Sequence, residues 1–286
     1  MSTRRVRWIP VPLVVATLSV TLVGAQKTPA LPDLLKLAGD YVTQYAHQLG
    51  AVAADEEFMQ YETTSGRMGT RKRVNSQVVL LGQDDGSIGN FRDLVAIDSV
   101  PVRPKDDRLA ALFKQPGPQS VGSAEAMTDD AVKAYISPNL HLLDKPTLAL
   151  DLLRAEHQSN YTYKIESNKT FDGTPVVVLK FNEKGKGHLM TNASAVGRYW
   201  IEPATGAVHQ TELGFIGQGV PNIHATVKFT KDAQLGVLVP AELSETIEGS
   251  SANAGMSDMG GGGATTSQHE GLEGRATYAR YRRPGA

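Results

Sequence analysis

The chain has 286 residues, with 29 Lys+Arg against 30 Asp+Glu, 28 glycines, no cysteine and 41% hydrophobic residues. Near-neutral charge and the lack of a basic stripe interleaved with aromatics argue against nucleic acid as a partner. Missing cysteines exclude disulfides, thiolate catalysis, thiolate-held metals and a lipid-modified N-terminal cysteine, so a core of ordinary burial must stabilise a chain of this length.

Arg4, Arg5 and Arg7 precede an apolar run from Ile9 to Val23, and Val23-Gly24-Ala25 offers the small residues a signal peptidase reads. This pattern predicts a signal peptide, residues 1–25, cleaved after Ala25, and export to a periplasm or beyond the cell. An uncleaved anchor is the alternative, although the run falls short of the roughly 18–20 residues that span a bilayer. Cleavage leaves 26 Lys+Arg against 30 Asp+Glu, a mildly acidic mature chain.

Leu34, Leu35, Leu37, Ala38, Val42, Tyr45, Ala46 and Leu49 recur at helical spacing, and Gly50 stops the run. Strands are predicted over Ala51 to Glu62 and Arg71 to Gln83, separated by a polar turn from Thr63 to Thr70. The second strand carries Val74, Ser76, Val78 and Leu80 on one face. Phe91 to Ile97 is a third strand, followed by a tight turn over residues 98–102. The middle of the chain, about residues 105–157, is helical: Asp106 to Phe113, Ala124 to Ile136 and Thr147 to His157 are three short segments punctuated by Pro116, Pro118 and Pro138.

From Tyr161 onward strand follows strand: Tyr161 to Ser167, Pro175 to Glu183, Val196 to Glu202, Val208 to Phe215, Asn222 to Lys231, Val237 to Glu248 and Gly271 to Arg282. Asp172-Gly173 and Pro203-Ala204-Thr205-Gly206 have the composition of hairpin turns. Residues 249–270, with the tetrad Gly260-Gly261-Gly262-Gly263, form a tract too poor in apolar bulk to bury, read as a flexible loop. Residues 26–248 and 271–286 thus belong to one domain. Runs of strands and runs of helices make the fold class α+β with an antiparallel sheet.

No catalytic constellation emerges. The seven histidines show no HxH, HxxxH or HExxH spacing; His209 and His224 could face each other on adjacent strands with His188 nearby, but strand alternation alone produces such pairs. No G-x-S-x-G elbow is present. Asp55-Glu56-Glu57 reads as a solvated edge, because consecutive strand residues point to opposite faces. The glycine tetrad lacks the Lys-Ser/Thr of a phosphate loop. The stretch Ala276 to Arg283 alternates aromatic and basic residues, as a charged edge strand would; contact with an anionic headgroup is the sharper reading.

The order of helix, strand meander, helical insertion and further strands, with the hairpin Tyr199-Trp200-Ile201-Glu202-Pro203-Ala204-Thr205-Gly206, resembles the periplasmic lipoprotein-carrier superfamily (LolA-like). The segment from Gly274 to Arg283 is similar to the C-termini of exported bacterial proteins. The resemblance implies a strongly curved antiparallel half-barrel with helices covering its concave face around a hydrophobic cavity. Inward positions on the matching strands are Val177, Leu179 and Phe181, then Leu213 and Phe215, then Ile223, Val227 and Phe229. The expected partner is a lipid, a lipoprotein acyl chain or another hydrophobic ligand, or a lipidated protein, with a transient envelope protein partner besides, and with no cofactor, metal or catalytic residue. If those side chains close-pack instead, the same sheet would serve as an extracytoplasmic interaction or scaffold module. A hydrolase with an unfamiliar site is the third class.

Overall fold

The computed structural model of the chain describes residues 28–64, 67–136, 145–185, 187–217, 220–250 and 269–285. The expected signal peptide and residues 251–268 of the expected loop lie outside them.

Helix α1, Leu31–Leu49, starts with Pro32 in its first turn and ends where Gly50 takes φ 53°. Proline fits that first turn because its missing N–H would have had no partner there. The helix buries Leu34, Ala38, Val42, Tyr45, Ala46 and Leu49 of the stripe read from the sequence, and leaves Leu35 and Leu37 partly buried. Strands β1 (Ala51–Thr64), β2 (Arg67–Gly82) and β3 (Ile88–Ile97) follow, with the two-residue β4 (Val100–Pro101). The central helices are α2 (Arg108–Leu112), α3 (Pro118–Val132), α4 (Leu148–Asp151) and α5 (Ala155–Gln158). The remaining strands are β5 (Tyr161–Phe171), β6 (Thr174–Glu183), β7 (Ala193–Ile201), β8 (Val208–Gly217), β9 (Asn222–Lys231), β10 (Leu238–Ser250) and β11 (His269–Arg282).

All the strands form one antiparallel sheet in the order β4-β3-β2-β1-β11-β10-β9-β8-β7-β6-β5. The sheet does not close, since β4 and β5 are its two ends. It is curved: α1 touches both β2 and β5, which lie eight strand spacings apart and would be about 38 Å apart in a flat sheet. Even laid across the strands, the 19-residue α1 is only about 28 Å long, so it meets both because the sheet curls round it.

The helices divide between the two faces. On the concave face, α1 and the segment carrying Leu150, Leu152 and Leu153 share one apolar cluster with the inward residues of β1, β2 and β5 to β11. The helices α2 and α3 instead seat Leu109, Ala110, Phe113 and Ala124 on Ala53, Val79, Leu81 and Phe91, the opposite face of β1 to β3. Helical cover is therefore not confined to the concave side, because β2 alternates apolar residues on both faces and each face needs a layer.

Three further expectations change. The polar stretch predicted as a turn from Thr63 to Thr70 is mostly strand, with Thr64 opposite Arg67 across the hairpin. The Asp55-Glu56-Glu57 segment is not a solvated edge: β1 lies between β2 and β11, and Glu56 is 2% exposed. Nor is the aromatic and basic C-terminal stretch an edge, because β11 pairs with β1 on one side and β10 on the other. Sequence composition marks charge, but a strand's place in the sheet depends on distant pairing, and the last strand returns to pair with the first.

Candidate functional site

The eight inward residues proposed as a ligand surface come together on the concave face. Val177, Leu179 and Phe181 on β6, Leu213 and Phe215 on β8, and Ile223, Val227 and Phe229 on β9 are at most 5% exposed and belong to one cluster. The register sets them in transverse rows: Phe181 lies beside Gly197, which lies beside Leu213, and Leu179 lies beside Tyr199, Tyr199 beside Thr211 and Thr211 beside Val227. The Phe181 ring stacks on Tyr199 at 4.9 Å and meets the edge of Tyr161 at 5.7 Å. Two tyrosines tie the helical cover to this layer. Tyr199 Oη donates to the Ala149 carbonyl at 2.9 Å, and Tyr163 Oη to the Leu152 carbonyl at 3.0 Å. The proposed surface is a packed layer under α1 and α4, and the open volume lies at its end.

That open volume is a cleft of about 540 Å³ between α1 and the turns at one end of the sheet. Tyr41, Tyr45 and Gln48 form its helical wall; Phe171, Glu202 and His209 stand on the turn side, and Phe229 joins it to the inner face. Each turn has a local reason. Asp172 and Gly173 both have positive φ, the primed geometry that an Asp-Gly hairpin favours. In the next turn Gly206 has φ +78°, and a Cβ there would collide with the Leu37 carbonyl of α1. The Pro/Gly turn of the Tyr199 to Gly206 hairpin is thus a docking point for the helix as well as a chain reversal. In the third, Asp232 Oδ1 accepts hydrogen bonds from the amides of Gln234 and Leu235 at 2.9 and 2.8 Å.

Each side of the cleft carries a pair of rings. Tyr41 stacks on Tyr45 at 5.8 Å, and Phe171 lies 6.0 Å from the His209 ring. Burial, reinforced by Tyr41, pushes the Tyr45 hydroxyl far above the ordinary tyrosine range, so it is a proton donor at any physiological pH. Burial and the Glu202 carboxylate raise Tyr41 in the same sense. His209 Nε2 lies 3.8 Å from Glu202 Oε2, beyond hydrogen-bond range, while Thr205 Oγ1 donates to that oxygen at 2.7 Å. Tyr41, Tyr45, Phe171 and His209 were not among the residues proposed from the sequence. Their grouping depends on three turns meeting one helix, and no local spacing records it.

The other end of the concave face is charged. Arg92 of β3 donates two hydrogen bonds to Glu56 of β1, each 2.6 Å, with both side chains at most 5% exposed. The strand between them carries Ser76 opposite Glu56, and this small side chain leaves room for Arg92 to reach across. Gln60, Glu245 and Tyr278 are buried nearby on the same face.

The remaining candidates separate. His224 lies opposite Gly214, not His209, and among the described residues no group of three His, Asp or Glu could hold a metal ion. The C-terminal arginines are engaged within the chain: Arg280 and Arg282 with Asp55, Arg282 also with Asp107, and Arg283 with the carbonyls of Gln48 and Leu49. Those contacts occupy the groups that a headgroup site would have needed. Among the described residues no helix is long and apolar enough to cross a membrane.

No family model matches the chain, and no curated protein does. Similar solved structures include a DUF1329 family protein from Desulfovibrio piger, at 10% identity and TM-score 0.39 over 89% of this chain and 95% of that one. A putative outer membrane lipoprotein-sorting protein domain from Vibrio parahaemolyticus aligns at 10% identity and TM-score 0.37 over 88% and 92%. A LolA superfamily protein from Nitrosomonas europaea aligns at 11% identity and TM-score 0.33 over 87% and 92%. The superfamily that the sequence resembles is thus among the structures that align over most of the chain. At these TM-scores the likeness carries nothing about ligand or partner.

Proposed function

We propose that this chain is an exported, non-enzymatic binding protein for a lipid, a lipoprotein acyl chain or another hydrophobic ligand. The ligand is admitted through the cleft between α1 and the turns and held on the apolar layer of Val177, Leu179, Phe181, Leu213, Phe215, Ile223, Val227 and Phe229. The observation that carries the reading is Phe229, which belongs both to that layer and to the cleft wall. A cleft of 540 Å³ falls within the roughly 300–1,000 Å³ of small-molecule sites. Each methylene moved from water onto such a surface gains about 0.8 kcal/mol, so a chain of a few carbons supplies affinity without a catalytic group. Because apolar contact is non-directional, a ligand chain can take over contacts that α1 makes in the free protein. Export follows from the leader-like pattern of residues 1–25.

The test is native mass spectrometry of protein purified from the envelope of its host, with lipid extraction, beside the variant Ala207→Trp. Ala207 lines the cleft, and an indole there fills its mouth. A stoichiometric lipid on the wild type and its loss from a variant with an unchanged circular dichroism melt support the proposal. An apo mass that persists after incubation with envelope lipids sinks it. The close packing of the eight residues favours a second reading, a protein-interaction module that uses the sheet's outer surface, and that persistent apo mass is its expected result.

A further inference from the structure

We infer that the cleft takes the polar end of an amphiphile, and that this end is an uncharged oxygen group: a hydroxyl, ester or amide. The inference rests on the hydrophobic-ligand reading and adds the chemistry of the head. Tyr45 on α1 and His209 on β8 line facing sides of the cleft, and the Tyr45 Oη and His209 Nε2 atoms are buried with no hydrogen-bond partner among the described residues. Tyr45 is 2% exposed, so its hydroxyl lacks the water that would otherwise satisfy it. A buried group left in that state is unfavourable, and an incoming oxygen removes the cost.

The charges of the cleft select which oxygen. Asp172 and Glu202 line it, against Lys231. A carboxylate or phosphate head would have to sit beside two acids with one lysine to offset them. A hydroxyl or carbonyl meets no such repulsion. It can accept from the tyrosine, and a hydroxyl can also donate to a neutral imidazole nitrogen. The aromatic rings of Tyr41, Phe171 and Phe229 give the adjoining carbons an apolar wall, and Phe229 leads from the head to the concave layer.

The experiment measures the affinity of a monoacylglycerol and of the fatty acid of equal chain length, both below their aggregation concentrations at pH 8. The proteins are the wild type, Tyr45→Phe and Ala207→Trp. The monoacylglycerol is expected to bind about ten-fold tighter than the fatty acid. Tyr45→Phe is expected to lose roughly five- to ten-fold for the monoacylglycerol, one neutral hydrogen bond, and nothing for the fatty acid, with no fall in Tm. Equal or tighter binding of the fatty acid, or no effect of Tyr45→Phe on either probe, overturns the inference. If either probe still binds and Ala207→Trp blocks it, the hydrophobic-ligand reading survives that result. Failure of both probes to bind the wild type overturns both.

Discussion

The concave face joins two regions that are equally buried and held by different physics. Over β6 to β9 the inward side chains are mainly aliphatic and aromatic, with Thr211 and Glu183 buried among them, and their cover is the apolar stripe of α1 with the leucines at 150, 152 and 153. Over β1 to β3 the same face adds to apolar residues such as Phe58, Val78 and Leu80 the Glu56–Arg92 pair, with Ser76 on the strand between, Gln60 on β1, and Glu245 and Tyr278 on the neighbouring β10 and β11. Contacts of the first kind depend on area and tolerate exchange of one apolar partner for another. Those of the second kind depend on one partner at one place, since an unpaired charge out of water is costly. On the function proposed above, ligand exchange would fall to the apolar half, while the charged half fixes strand register.

The largest effect is expected from removing one member of the charged pair. Arg92→Met leaves the Glu56 carboxylate buried without its arginine and should cost about 3–5 kcal/mol, a fall in Tm of roughly 6–20 °C. Adding Glu56→Leu should restore most of that loss, because a packed apolar pair serves as well as a buried ion pair once neither charge remains. Leu179→Ala, in the apolar half, is expected to cost about 2–5 kcal/mol by leaving a cavity, and Glu56→Leu should return none of it. Urea unfolding of the four variants reads both halves. The contrast collapses if Arg92→Met behaves like a surface substitution, or if the double variant is no more stable than the single one.

Much of the apolar half was legible in the sequence. Asn222 to Lys231 alternates cleanly and is strand over that whole span, and all eight proposed residues point inward, because alternation fixes which face a residue takes once the strand is known. The charged half was not legible. Glu56 and Arg92 are 36 residues apart and meet across an intervening strand, so neither periodicity nor local spacing links them. Asp55-Glu56-Glu57 looked solvated because a buried glutamate cannot be told from an exposed one until its partner is placed. The cleft is an intermediate case: its turns were readable from Asp172-Gly173 and Pro203 to Gly206, but not their meeting at one helix.

A smaller effect sharpens the comparison at the seam where the hairpin touches α1. Gly206→Ala adds a methyl against the Leu37 carbonyl at a residue with φ +78°, so both the turn and the helix must adjust. A cost of about 1–3 kcal/mol is expected. If α1 is the exchangeable cover of the apolar half, hydrogen exchange should quicken along Leu31 to Val42 and leave the amides around Glu56 and Arg92 protected. Uniform loss of protection across both halves would show that the cover and the charged half unfold as one unit.

The smallest effect is a dependence on acid confined to the strands that carry the charged half. Asp55, on the outer face of β1, accepts hydrogen bonds from Lys105 and Arg280. Burial pushes its carboxyl upward, but those hydrogen bonds and the charges behind them outweigh burial and hold it below the usual carboxylate value. The hydrogen bond and charge of Arg282 lower Asp107 in the same way. A carboxylate whose folded pKa is depressed adds stability above its unfolded value, about 3.9, and loses it as pH falls through the folded value. Asp55→Asn should therefore be less stable than the wild type at pH 7, and the gap should close as pH drops from about 4 toward 2. Leu179→Ala changes no titrating group, so its deficit should stay constant over the same range. A gap for Asp55→Asn that persists unchanged at pH 2 would mean that the aspartate acts there through shape and neutral hydrogen bonds. The charges around β1 would then contribute nothing that the apolar half does not also have.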